Sequence, residues 1–212
     1  MARGDPNYKL TYFDLRGLSE PVRYLFAYAK VEYDDNRIKR EDWPAMKKDM
    51  PFRTLPVLEV DGQTIGQSKA IGRFLAKRFN LVGQDDIEQA RVDALVDYLE
   101  DVKHAGVGLM TLFREQDEKK KQEMKDQFFG ETLPDYMDVL EQHLRSNNGG
   151  KGFFVGSGPT WADFAVAVFM DALDKFQPGF LSKYPLLSAH KARVEDLKGT
   201  KEWIAKRPKT VM

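Results

Sequence analysis

The sequence predicts an α/β domain followed by an all-helical domain. Three observations carry this. Short segments that alternate with period two are confined to the first third of the chain. A run of linker character, Asn80-Leu81-Val82-Gly83-Gln84-Asp85-Asp86, closes that third. Everything after it keeps a helical beat. With 212 residues, the chain can form two small domains that each bury a core. The boundaries read this way are 7–82 and 86–212.

In the first domain, Tyr8, Leu10 and Tyr12 alternate with Lys9, Thr11 and Phe13, which predicts a strand. A loop through Arg16 and Gly17 leads to Ser19, Glu20 and Pro21, a helix start. Val22, Leu25, Phe26 and Ala29 then recur at helical spacing up to Lys30. Residues 33–38 read as a second strand, and Trp43-Pro44 marks a short helix in a charged stretch. Pro56 to Val60 and Gln63 to Ile65 form a hairpin about Asp61-Gly62. Gln67-Ser68 opens a helix with Ala70, Ile71, Phe74 and Leu75 on one face. The order β-α-β then β-β-α is the thioredoxin-like arrangement.

In the second domain, Ile87, Ala90, Ala94, Leu95, Tyr98, Val102 and Leu109 predict one long helix with these residues inward. The charged stretch 115–121 should end it. A second long helix is expected over 122–145, with Phe128, Leu133, Met137, Leu140 and Leu144 inward and a kink at Pro134. A glycine-rich loop at 149–158 precedes helices expected at 160–174, 185–197 and 200–206.

Composition excludes several functions. Lys+Arg and Asp+Glu are both 33, so no excess charge exists to displace counterions from a nucleic acid. The chain has no cysteine, which removes disulfides, thiolate metal sites and a Cys nucleophile. His104, His143 and His190 lie far apart without metal-ligand spacing and read as surface or structural residues. No run of about 18 apolar residues is present to span a membrane, and residues 1–6 lack an apolar signal core. A cytoplasmic protein is the expectation.

Four motifs invite chemistry, and each has a plain structural reading beside it. The loop before Gly150-Lys151 fails as a phosphate-binding loop: Arg145 stands where its first glycine belongs, and Gly152 where Ser or Thr does. Thr160-Trp161-Ala162-Asp163 is a capping box, a folding device. Gln67-Ser68 is either a plain helix start or a place where free amides hold a ligand carboxylate. Asp93, Asp97, Glu100 and Asp101 form either a solvated face, a receptor for a ligand ammonium, or a divalent cation site.

Taken together, these pieces resemble the cytosolic glutathione transferases, most closely the sigma class. The residues that carry the likeness are Tyr8 to Phe13, Arg16-Gly17, Glu20, Arg23, Asp42-Trp43-Pro44, Leu55-Pro56-Val57-Leu58, Gln67-Ser68 and Thr160 to Asp163. The likeness runs from about residue 7 to Arg207-Pro208. It implies a thioredoxin-like glutathione-binding domain at 7–82 and a helical domain at 86–212 that contributes a hydrophobic acceptor site. It also implies a homodimer, with glutathione as co-substrate and small hydrophobic electrophiles as acceptors.

Residue by residue, the resemblance implies that Tyr12 donates its hydroxyl proton to the glutathione sulfur and stabilises the thiolate. A hydrogen bond to a charged group contributes about 1.5–3 kcal/mol, or about 1–2 pKa units. Phe13 would pack beside the sulfur, and Arg16 would influence Tyr12. Trp43 and Lys47 would hold the glycyl carboxylate. Thr54, Leu55 and Pro56 would line the tripeptide, with a cis Leu55–Pro56 bond. Gln67 and Ser68 would bind the γ-glutamyl carboxylate, and Asp101 of the other subunit its ammonium. Phe13, Leu15, Leu18, Val107, Gly108, Thr111, Ala165 and Phe169 are the implied acceptor pocket. Tyr8, on the same strand face as Tyr12, should serve stability instead.

Departures from the class pattern bear on the acceptor. Some prostaglandin D synthases of the class carry Arg where this chain has Leu18, Lys where it has Thr54, and Trp where it has Gly108. Generic conjugation is therefore the leading expectation. Glutathione-dependent prostaglandin D isomerisation is the alternative, followed by a non-catalytic crystallin-like or ligand-carrier role. The cluster Asp97, Glu100 and Asp101 resembles the cation site of those synthases, which brings in Mg2+ as a lesser expectation.

Overall fold

The structure is a computed structural model that describes residues 6–105 and 109–210, the side chains of residues 109, 110 and 113 excepted. In chain order, the elements are β1 (Tyr8–Phe13), α1 (Glu20–Ala29), β2 (Asp34–Ile38), α2 (Trp43–Met46), β3 (Val57–Val60), β4 (Gln63–Gly66) and α3 (Ser68–Arg78). There follow α4 (Asp86–His104), α5 (Leu109–Arg114), α6 (Glu118–Gln127), α7 (Leu133–Ser146), α8 (Trp161–Phe176), α9 (Pro185–Glu195) and α10 (Thr200–Lys206). They pack as two units. The first runs through Val82 and takes back the segment from Glu195 onward; the second is Gly83–Val194.

The first unit is built on a four-stranded sheet of order β2-β1-β3-β4. β1 runs parallel to β2 and antiparallel to β3, and β3 and β4 form the hairpin. Asp61 and Gly62 both have positive φ, at 49° and 82°, as the tight turn demands. Leu10 lies opposite Asp35 on one side and Leu58 on the other, at the centre of the sheet. Leu10, Leu25, Phe26, Leu58, Ile71 and Leu75 are buried in its core. Tyr8 belongs to that core too: its ring meets Phe26 at 5.3 Å and Phe79 at 6.5 Å. The returning segment is held close. Gly199 approaches the Ala27 carbonyl so tightly that a Cβ there would overlap it.

The second unit departs from the sequence reading in its breaks. α4 ends at His104, with Ala105 already extended (ψ 138°), so the helix expected to reach Leu109 is two helices. The sequence following is Gly106-Val107-Gly108, and glycine costs about 1 kcal/mol in a helix interior. Ile87, expected inward, is 62% exposed; the buried stripe of α4 begins only at Val92. The charged stretch is not a plain break. Asp117 accepts from the amides of Lys119 (3.0 Å) and Lys120 (3.1 Å) and starts α6 inside it. The second long helix is also divided, by a π-turn at Phe128–Thr132. Pro134 lies in the first turn of α7, directly after that π-turn, where a missing amide is tolerated.

The capping box at the head of α8 is formed. Its Asp163 is fully buried and accepts from the amides of Thr160 (2.7 Å) and Phe154 (2.8 Å) and from the Thr160 hydroxyl (2.8 Å). His190 of α9, also fully buried, lies with Nε2 2.8 Å from the same carboxylate. Among the described residues, no helix is long and apolar enough to cross a membrane.

Candidate active site

β1 ends by delivering Tyr12 beneath the loop that follows it. The Tyr12 ring is buried, and its hydroxyl oxygen accepts the Leu18 amide at 3.2 Å. One lone pair is thus engaged, which leaves the O–H proton to be given elsewhere. Burial pushes the phenol above its ordinary value of 10.0. The Leu18 amide and the charges of Arg23 and Arg40 pull it partly back. At neutral pH Tyr12 is therefore a protonated donor, sharpened by the amide behind it.

The close approach of loop and ring requires Gly17. Its φ is +42°, and a Cβ there would lie 2.7 Å from the Tyr12 oxygen.

Arg23 of α1 holds this loop from below. It is 0% exposed, and its Nη1 donates to the carbonyls of Leu15 (2.8 Å) and Arg16 (3.3 Å). The same nitrogen is 3.3 Å from Glu20, itself 1% exposed, and Nε donates to Asp35 at 3.1 Å. A Glu and an Arg three apart on a helix read as an ordinary surface pair. The sequence therefore names both residues without revealing what they do. Neither gave a signal that period or spacing could detect.

Phe13 follows Tyr12 on the opposite face of β1, with ring centroids 5.7 Å apart, and the Trp43 ring meets it edge-on at 5.9 Å. Phe13 and Trp43 are half-buried, and Lys47, in the turn after α2, is exposed. Arg16 is buried and reaches the Thr210 carbonyl at 3.5 Å. Thr54 is exposed and extended. The Leu55–Pro56 bond is cis, as the resemblance implies. Neither backbone group of half-buried Leu55 has a hydrogen-bond partner among the described residues.

Gln67 has φ +71° and stands as the N-cap of α3, with Ser68 the first helical residue. No side chain caps this helix, so its first amides are left for water or a ligand.

In the second unit, Asp101 is exposed on α4, and Asp97 is exposed one turn before it. Glu100 is engaged by Lys103 (3.4 Å) and His104 (3.6 Å). Among the described residues, no group of three or more acidic, His or Cys side chains could hold a metal ion. The residues present do not fit a Mg2+ site, and no step runs through one. Of the implied acceptor residues, Leu15 is half-buried and Leu18 is 40% exposed, beside Tyr12. Thr111 is exposed, while Ala165 and Phe169 are buried. Val107 and Gly108 lie outside the described residues.

Comparison with known proteins agrees in both halves. Residues 8–77 match the N-terminal domain of glutathione S-transferase, and residues 100–207 its C-terminal domain. The chain is 44% identical over 207 residues to hematopoietic prostaglandin D synthase of Gallus gallus, covering 98% of this chain and 100% of that one. It is 38% identical over 205 residues to glutathione S-transferase 1 of Ascaris suum, covering 97% and 98%. Among solved structures, prostaglandin synthase D of Nilaparvata lugens superposes with a TM-score of 0.87 at 35% identity, over 97% of this chain and all of that one.

Proposed function

The chain belongs to the glutathione S-transferase family, and from that premise we propose that it ionises the glutathione thiol through Tyr12 and conjugates it to small hydrophobic electrophiles. The observation that carries the reading is the Tyr12 hydroxyl: buried, held protonated, accepting from the Leu18 amide and so left with one proton to give. Glutathione binds with its sulfur at that proton. The thiol proton leaves to water, the Tyr12 O–H stabilises the sulfur anion, and the thiolate forms a C–S bond while the leaving group departs with its electron pair. Tyr12 is an electrostatic stabiliser and forms no covalent bond.

The tripeptide spans residues 7–82. Phe13 packs beside the sulfur, Arg16 influences Tyr12, and Trp43 and Lys47 take the glycyl carboxylate. Leu55, between Thr54 and Pro56, pairs its free backbone groups with the cysteinyl unit. Gln67 and Ser68, at the uncapped start of α3, take the γ-glutamyl carboxylate. Residues 86–212 contribute Val107, Gly108, Thr111, Ala165 and Phe169 to the hydrophobic acceptor site, and residues 7–82 contribute Phe13, Leu15 and Leu18. The protein acts as a homodimer in which Asp101 of the second copy meets the γ-glutamyl ammonium. In support, Phe52 is 73% exposed with φ +54°, and its ring lies against Gly66, where a Cβ would come within 2.9 Å. An aromatic ring held outward in this way suits burial against a second copy. The cytosol, where glutathione is kept reduced, suits the chemistry.

The test is the titration of the bound thiol by its ultraviolet thiolate absorbance, together with turnover of a chlorinated nitroaromatic. Tyr12→Phe should return the bound thiol close to its free value and lower turnover about 10²–10³-fold. Unchanged titration in that variant would remove Tyr12 from the mechanism.

The Gallus gallus relative favours a second reading, in which the same thiolate isomerises a prostaglandin endoperoxide. Leu18 and Gly108 depart from that pattern. Failure to form a D-series product from the endoperoxide rejects it.

A further inference from the structure

We propose that the C-terminal helix α10 tunes the bound thiol through the buried ion pair Glu20–Arg23, so that Arg207 and Trp203 are positioning residues for Tyr12. The inference rests on the Tyr12 reading above and extends it to residues far away in sequence.

The chain of contacts is continuous within the first unit. Glu20 Oε1 accepts from Arg207 Nη1 at 2.7 Å and from the Trp203 indole N–H at 2.9 Å. Its other oxygen, Oε2, accepts from Arg23 Nη1 at 3.3 Å. Arg207 also donates to the Tyr24 hydroxyl at 3.2 Å and lies 5.9 Å from that ring, so its head is fixed on two sides. Arg23 Nη1 divides its donors among Glu20, the Leu15 carbonyl and the Arg16 carbonyl. Those two carbonyls bound the start of the loop whose Leu18 amide reaches the Tyr12 oxygen.

The charge arrangement makes the coupling directional. Glu20 is almost wholly buried between two guanidinium groups. A buried carboxylate that loses one cationic partner must draw harder on the other or take up a proton. If it draws harder, Glu20 pulls Arg23 Nη1 off the Leu15 carbonyl, and the loop is released. If it is protonated, Asp35 still holds Nε, but Arg23 Nη1 loses the charge that draws it toward Glu20. Either way the Leu18 amide moves from the Tyr12 oxygen, the hydroxyl is polarised less, and it becomes a weaker donor to sulfur. A second tie, Arg16 to the Thr210 carbonyl, joins the same loop to the chain beyond α10.

The effect should be that of weakening one hydrogen bond behind the donor, at most about tenfold. The experiment titrates the thiol of bound glutathione in the full-length chain and in Arg207→Ala. It also measures kcat, the glutathione KM and the thermal midpoint. The expected result is a bound-thiol pKa higher by about half to one unit, kcat/KM near neutral pH lower by about 3–10-fold, and a glutathione KM changed by less than about twofold. Arg207→Lys should restore part of the shift by restoring the charge. Trp203→Phe removes only the indole donor and should move the titration the same way by less, which keeps the question open to test if Arg207→Ala does not fold.

A thiol that titrates in Arg207→Ala or Trp203→Phe as in the parent overturns the inference, whatever happens to thermal stability. If Tyr12→Phe raises the thiol pKa while these variants do not, only the inference falls. If Tyr12→Phe also leaves it unchanged, the Tyr12 reading falls first.

Discussion

Gly17 and the Tyr12 hydroxyl share one small volume, which any side chain at position 17 would invade. A methyl at position 17 would meet the phenol oxygen at 2.7 Å, and the backbone there holds φ +42°. Gly17→Ala must therefore move the loop or the ring. It should lower kcat about tenfold or more while costing about 1–2 kcal/mol of stability. Steady-state kinetics with chemical denaturation checks both. Parent-like kcat in a folded Gly17→Ala would mean that the loop has no hold on the hydroxyl. The residue scale also explains what the sequence concealed. Tyr8 and Tyr12 are the same residue type on one strand face, and alternation cannot tell them apart. Packing does: Tyr8 meets Phe26 and Phe79, whereas Tyr12 meets a backbone amide.

The elements divide by what ends them. Strands and the hairpin were readable because alternation and Asp61-Gly62 are local signals. The breaks at Ala105 and Phe128–Thr132 were not, because the apolar beat of a helix continues across a short interruption. α8 shows an element whose start was legible and whose anchoring was not. Thr160 to Asp163 announces the cap, but the partners of Asp163 also include Phe154 from the loop before it and His190 from α9 beyond it. Asp163→Ala would strand the amides of Phe154 and Thr160 and the ring of His190 in a buried site. We expect a loss of about 3–5 kcal/mol in urea unfolding. A loss below about 1 kcal/mol would show that the cluster is not what secures α8.

At the scale of the whole molecule, four phenols with raised pKa values favour the fold at neutral pH. Burial raises Tyr12, and burial together with the Asp35 charge raises Tyr33 further. Burial also raises Tyr98 and Tyr184. A raised folded pKa means that the fold holds the proton more tightly than the unfolded chain does. The stability this represents is complete below about pH 10 and is lost as pH rises through the folded values. Thermal midpoints should hold up to about pH 10 and fall above it, and ultraviolet titration should find tyrosines that ionise late. Midpoints that stay flat well above that pH would contradict it. The sequence by itself determined the two-part fold, the strand that carries Tyr12, the cis Leu55–Pro56 bond through its resemblance, and the family. These follow from local periodicity, turn chemistry and ordered motifs. Only the tertiary structure decided that Arg23 and Glu20 are buried beneath the Tyr12 loop, and that the last helix returns to hold them. Those contacts join residues more than 180 positions apart (Glu20 to Arg207 is 187), and no local pattern encodes a meeting at that distance.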